Sequence, residues 1–394
     1  MTTEPLTFPL ANAGPFDPPS ELMAMREGRP IAPLRLPDGR LGWVVVRRAT
    51  VRSVLADPRF SARQELRGNL SPSGGSLPPA PPGMFIGMDP PDHTHYRHLL
   101  TGQFTVRRMR QLTARIEQLA EEHLDRMAAA GPPVDLVATY ARPIPAMVIC
   151  ELLGVPDEFR ERFGQQVAEL SRQDATPEEQ QRTLVGILTY LGELVREKRS
   201  TPTDDLLGGL VVDGAGLTDE ELTNLAFMLL GAGLDTTANM LGLGTLALLA
   251  HPEQIPVITN PDTVDNAVEE LLRYLAIVPG TLRTALEDVE VEGVTVRAGE
   301  TVMVSLPVAN RDPERFADPD TLDLTRQTSG HVAFGHGVHQ CLGQQLARVE
   351  MRVAFPALFR RFPTLRLAVP QEEVPLRDEM LIFGVHRLPV TWED

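Results

Sequence analysis

The sequence predicts a mainly α-helical fold carrying small β-sheets, on three observations. Apolar residues recur at helical spacing from Thr105 to about Lys198. A later stretch, "LTDEELTNLAFMLLGAGLDTTANMLGLGTLALLAHP", is apolar almost all round and bounded by helix signals. Strand-like alternation is confined to short segments at the front, the middle and the end. The chain has 394 residues, enough to bury a large core, and no repeat or Gly/Ser linker divides it. One domain spanning 1–394 is expected.

Taken in order, "LRLPDGRLGWVVV" reads as a hairpin turning at Asp38-Gly39. Residues 61–92 hold seven prolines and little periodicity; so long a loop inside a compact domain reads as a mobile lid. The helical region that follows is broken at "AGPPVD" and "QDATPEE". In the long apolar stretch Thr218 is the N-cap and Glu221, three residues on, completes a capping box. His251-Pro252 closes it. A helix of about 33 residues is roughly 50 Å long, enough to cross a whole domain.

The midpoint of that helix is "GAGLDTT", with Gly231, Gly233, Asp235, Thr236 and Thr237. A mid-helix glycine costs roughly 1 kcal/mol against alanine, and close packing of a neighbour accounts for it more readily than a ligand does. An unpaired carboxylate in a buried helix is expensive. Thr236 can draw off the carbonyl of Ala232 one turn back, so the hydroxyl and carboxylate read as a polar notch facing a cavity. Further on, "VEVEGVTVRAGETVMVSL" alternates and turns at Gly293 and Gly299, and "GVHRLPVTW" is a final short strand.

Composition excludes several function classes. A net charge of -16 argues against a nucleic-acid surface. No run of eighteen apolar residues offers a membrane span, and the first thirty residues hold no signal-peptide stretch. Two distant cysteines, Cys150 and Cys341, make no disulfide framework, so a cytoplasmic protein is expected.

One cysteine lies in an unusual loop, "FGHGVHQCLG". The following "LGQQLARVEMRVAFPALFRRF" puts Leu342, Leu346, Val349 and Val353 on one helical stripe. Cys341 then sits at a helix N-terminus, where free amides and the dipole stabilise a thiolate. By residue type His331, His336, His339 and Cys341 also read as a zinc site, although no Cys-x-x-Cys pair accompanies them.

These motifs together resemble the cytochrome P-450 superfamily. "FGHGVHQCLG" is similar, position for position, to its haem-binding loop F-G-x-G-x-[HR]-x-C-x-G. "AGLDTT" resembles the oxygen-activation stretch, with Asp235 where many members carry Glu. "EELLRY" supplies an E-x-x-R as Glu270 and Arg273, and "NRDPERFADPDTLDLTR" resembles the segment that locks that pair. "DHTHYR" gives His93 and Arg97 one turn apart. The likeness runs in the family's order from about residue 15 to the C-terminus.

The resemblance implies the superfamily's helix-rich triangular prism, with haem b between the long helix and the helix after the cysteine loop. It implies Cys341 as axial iron ligand, with Phe334 shielding it and Gly335 and Gly343 making room. His93, Arg97, Arg283 and His339 would meet the haem carboxylates, and Glu270 and Arg273 would be structural. Thr236 and Asp235 would be catalytic, delivering protons while two electrons and dioxygen insert one oxygen atom into substrate.

The implied pocket is walled by Phe85, Ile86, Met228, Ala232, Gly233, Val278, Leu282 and Ile382, mostly apolar, so a lipophilic secondary metabolite is expected. With no reductase module in the chain, a separate ferredoxin and NAD(P)H-dependent reductase would supply electrons. The basic run Arg107 to Arg110 would be their docking side, and a monomer is expected. The same scaffold also hosts coupling and desaturation. A haem-based sensor without turnover is the alternative of a different class, and the retained Asp235 and Thr236 argue against it.

Overall fold

The hairpin read at Asp38-Gly39 seeds the largest sheet of the protein. A computed structural model describes residues 4–68, 77–156, 158–160, 166, 176–213, 216–378 and 380–393. Its strands in chain order are β1 (Leu6–Thr7), β2 (Ile31–Arg35), β3 (Leu41–Val45), β4 (Phe60–Ser61), β5 (Val134–Asp135), β6 (Gly280–Ala285), β7 (Val289–Val291), β8 (Val294–Val296), β9 (Thr301–Ser305), β10 (Arg366–Leu367) and β11 (Pro389–Thr391). The helices are α1 (Ser20–Glu27), α2 (Arg48–Ala56), α3 (Asp92–Gln103), α4 (Val106–Ala130), α5 (Pro143–Leu153), α6 (Pro177–Ser200), α7 (Leu206–Asp213), α8 (Asp219–Ala250), α9 (Ile255–Thr259), α10 (Val264–Leu275), α11 (Leu306–Ala309) and α12 (Gln344–Arg361).

Six strands pair in the order β1-β2-β3-β9-β6-β4. The expected alternating segment 289–305 divides between two sheets: β7 and β8 form a hairpin through Gly293, whereas β9 lies parallel to β3 and antiparallel to β6. Alternation along these strands separates two apolar clusters. Val45, Val302, Val304 and Ala285 belong to one, and Val44, Leu34, Met303 and Leu282 to the other. The C-terminal β11 joins a small sheet with β5 and β10.

The helices build the main core around α8. Thr218 caps it with the expected box, its Oγ1 accepting the Glu221 amide while the Glu221 carboxylate accepts the Thr218 amide. A second capping box, Thr176 with Glu179, opens α6 inside the segment read as a break. Helix α8 packs against α5, α6 and α12, which explains its all-round apolar character. No helix among the described residues is long and apolar enough to cross a membrane.

The described ends of the 61–92 stretch are tied down. The Asp89 carboxylate accepts from Ser61 Oγ at 2.6 Å and from the Ala62 amide at 2.8 Å. Gln64 Nε2 donates to the Pro78 carbonyl at 2.8 Å, and Asn224 Nδ2 on α8 donates to that of Pro82 at 2.9 Å. Residues 69–76 of the expected lid lie outside the described residues.

Glu270 and Arg273 on α10 are fully buried and pair through two bonds of 2.7 and 2.8 Å. Arg273 also donates to the carbonyls of Asn310, Pro319 and Thr321, so segment 310–326 does hold the pair. Each remaining donor finds a carbonyl, as a buried ion pair requires.

Candidate active site

The cysteine loop folds through a turn of 3-10 helix at Gly337–His339. Gly337 has φ 75°, and a Cβ there would lie 2.4 Å from the Leu55 carbonyl oxygen of α2; only glycine lets the loop press on that helix. The Cys341 amide donates to the Phe334 carbonyl at 2.9 Å, closing the loop, and α12 starts three residues later at Gln344. Cys341 is exposed, yet much protein surrounds it. Burial pushes its thiol pKa up, and amide hydrogen bonds from Gly343 and Gln344 with the charges of Arg97 and Arg348 offset this only in part. The amides at the start of α12 thus favour the thiolate, as the helix N-terminus leads one to expect, while desolvation acts against it.

Two imidazoles and two guanidiniums gather beside the cysteine. The rings of His93 on α3 and His339 lie 4.0 Å apart, and both ring nitrogens of buried His93 lack any hydrogen-bond partner. Burial together with Arg97 and Arg283 holds the His93 pKa down at about 4; burial, His93 and the same arginines hold His339 at about 3. Among the described residues Arg283 on β6 donates to Thr281 Oγ1 and the Leu282 carbonyl. Asp89 lies in electrostatic reach, but its oxygens serve Ser61 and Ala62. Such a cluster is built to receive an anion.

On α8 the expected notch has two parts. The Thr236 hydroxyl donates to the Ala232 carbonyl at 2.8 Å, as read from the spacing. Gly231 and Ala232 are exposed although flanking residues are buried, and nothing lies within 4 Å of a Cβ placed at Gly231. Gly233 differs: its Cβ would meet Ile149 Cδ1 of α5 at 2.5 Å, so it also serves the packing of α5 on α8. Asp235 is not a lone carboxylate. Buried Arg377 donates to it at 2.8 and 3.3 Å, and Arg142 lies within electrostatic reach.

The expected wall is only partly assembled. Phe85 is buried with its ring 5.6 Å from His93, whereas Ile86 is 55% exposed. Met228 is buried in the core, and half-buried Val278 and Ile382 pack against it. The Phe383 amide donates to the Ile277 carbonyl, which joins the two segments those residues belong to. Leu282 is a correction: it packs with Leu34, Val44 and Met303, on the opposite strand face from Arg283. Of the basic run, Arg107 and Arg108 pair with Asp204, which lowers the free charge of that patch.

The comparisons with known proteins agree with this geometry. A family model described as Cytochrome P450 matches residues 159–393. The chain is 47% identical over 390 residues to Cytochrome P450 105C1 of Streptomyces sp, covering 98% of this chain and 99% of that one. The chain is a cytochrome P450. This P450 is also 44% identical to the Vitamin D(3) 25-hydroxylase of Pseudonocardia autotrophica, covering 93% of this chain and 92% of that one. Its fold superposes on the crystal structure of cytochrome P450 MoxA from Nonomuraea recticatena with a TM-score of 0.93, at 42% identity and 99% coverage of each chain.

It is a monooxygenase, and haem b is the cofactor of the family. The residues present fit that group. Orphaned His93 and the arginines suit its two carboxylates, and the open space at Gly231 and Gly343 suits a flat macrocycle. Reading the sequence missed Arg377 as the partner of Asp235. It lies 142 positions away in "VPLRDEM", where no spacing links it to the helix.

Proposed function

We propose that Cys341 holds the haem iron and that this P450 oxidises a lipophilic small molecule, using electrons from a separate ferredoxin and NAD(P)H-dependent reductase. The observation that carries the reading is an exposed cysteine beside Arg97, Arg283 and the paired imidazoles of His93 and His339, the His93 ring nitrogens having no hydrogen-bond partner among the described residues. When bound, thiolate-ligated haem supplies dioxygen activation and oxygen insertion.

The chain's own residues do the rest. The amides of Gly343 and Gln344 donate to the sulfur and keep its charge in place. The imidazoles of His93 and His339 and the guanidiniums of Arg97 and Arg283 meet two carboxylates. Thr236 holds a proton at Oγ1 on the open side of α8, and Asp235, steered by Arg377, is the next proton-carrying group inward. The whole chain acts as one domain.

Substrate class follows from the apolar character of the expected wall. Phe85, Met228, Val278 and Ile382 are apolar and belong to or pack against the main core, and a pocket walled by them suits an apolar ligand. A relative named for hydroxylating vitamin D(3) supports a bulky, lipophilic substrate, and a secondary metabolite fits. Reconstitution with a surrogate ferredoxin and reductase under labelled dioxygen tests the reading. One labelled oxygen atom in a lipophilic product is expected; NADPH consumption without any labelled product would sink it.

A further inference from the structure

A second charged cluster lies behind the cysteine loop and is not part of the anion cradle. Glu269 on α10, next to the buried pair, accepts two bonds from Arg348 of α12, at 2.5 and 3.1 Å. It also faces His331 Nε2 at 2.9 Å. The Ala333 amide donates to His331 Nδ1, so Nε2 carries the proton and donates to Glu269. Three side chains from α10, the cysteine loop and α12 are thereby locked into one cluster.

Both remaining contacts of Arg348 lead to the cysteine. Its guanidinium stacks 4.6 Å over the Phe334 ring, and the Phe334 carbonyl accepts the Cys341 amide at 2.9 Å. Its Nη1 donates to Gln344 Oε1 at 3.0 Å and to the Gln344 carbonyl at 3.3 Å, and Gln344 opens α12 three residues after Cys341, its amide acting to stabilise the thiolate. The His331 ring flanks Phe334 on a tilted approach at 6.2 Å. Arg348 and Phe334 are each partly buried, so the charge is felt more strongly than it would be in open water.

We infer that Arg348, held by Glu269 and His331, is a positioning residue that fixes both ends of the cysteine loop and sets the electrostatic potential at the Cys341 sulfur. This rests on the reading of Cys341 as iron ligand. A positive charge beside the sulfur stabilises the reduced cofactor, which carries one electron more, and so raises its midpoint potential. Glu269 opposes that charge while aiming it. A role confined to tying α10 to α12 would predict no ordered effect on potential.

The test is spectroelectrochemical titration of purified holoenzyme, with the carbon monoxide spectrum of the reduced form as reference. Arg348→Gln is expected to move the midpoint potential to more negative values, and Glu269→Gln to move it to more positive ones. Arg348→Lys, which keeps the charge, is expected to stay close to wild type. If both glutamine variants shift in the same direction, or neither shifts, the inference fails. Should Arg348→Gln not load haem, the sign of the Glu269→Gln shift decides alone, and a negative or absent shift overturns the inference. A wild-type spectrum without the thiolate-type band would overturn the ligand reading itself. A normal band without opposed shifts overturns only the role of Arg348.

Discussion

Two glycines two positions apart in α8 do opposite work, and a pair of substitutions separates them. Gly233→Val forces a branched side chain onto Ile149, and overpacking of this kind costs about 1–3 kcal/mol, seen as a lower denaturation midpoint. Gly231→Ala has open space around it and restores helix propensity, so stability is expected to hold or rise by up to about 1 kcal/mol. Loss of stability in Gly231→Ala and none in Gly233→Val would reverse the assignment. Thr236→Ala removes a hydroxyl on the exposed side of the same helix while its carbonyl partner stays in place. Haem content is expected to be unchanged, with product per NADPH falling roughly tenfold or more and hydrogen peroxide rising instead. Unchanged coupling of product to NADPH would remove Thr236 from proton delivery.

At the scale of elements, α10 anchors the site through neighbouring carboxylates with different environments. Glu270 is sealed with Arg273, and cutting one partner leaves an uncompensated buried charge. Arg273→Gln is expected to lose about 3–5 kcal/mol and to fail to retain haem, checked by urea denaturation and haem content. Glu269 is pushed up by burial, but hydrogen bonds and charges from His331 and Arg348 outweigh that and hold its carboxyl at about 2. A depressed folded pKa means the unfolded chain binds the proton first. The stability it contributes is full above the ordinary 4.5 and is lost as pH falls from there through about 2. That contribution is at most roughly 3 kcal/mol. Urea midpoints measured between pH 5 and 3 should fall more steeply for wild type than for Glu269→Gln. Parallel curves would show that the carboxylate is not held down.

At the scale of the molecule, the apolar residues of the expected wall contrast with a chain carrying a net charge of -16. Bulky lipophilic compounds should therefore shift the haem spectrum on titration, while small anionic acids should not, because desolvating a charge without a partner is costly. A spectrum shifted only by small acids would contradict the apolar pocket.

The sequence by itself determined whatever depends on local spacing. Thr218 with Glu221, Glu270 with Arg273, the turn at Asp38-Gly39 and the glycine-rich loop around Cys341 each span few residues, and each folds as its spacing demands. The family and the loop proposed to hold the haem were legible for the same reason. Tertiary structure alone decided what distant segments do to one another. Asp235 meets Arg377 across 142 positions and Glu269 meets Arg348 across 79, and no periodicity encodes either pair. Strand register turned Leu282 away from Arg283, and the approach of α5 made Gly233 a packing residue while Gly231 stayed open. Local backbone chemistry acts over a few residues, whereas ion pairing and close packing are settled only when whole elements meet.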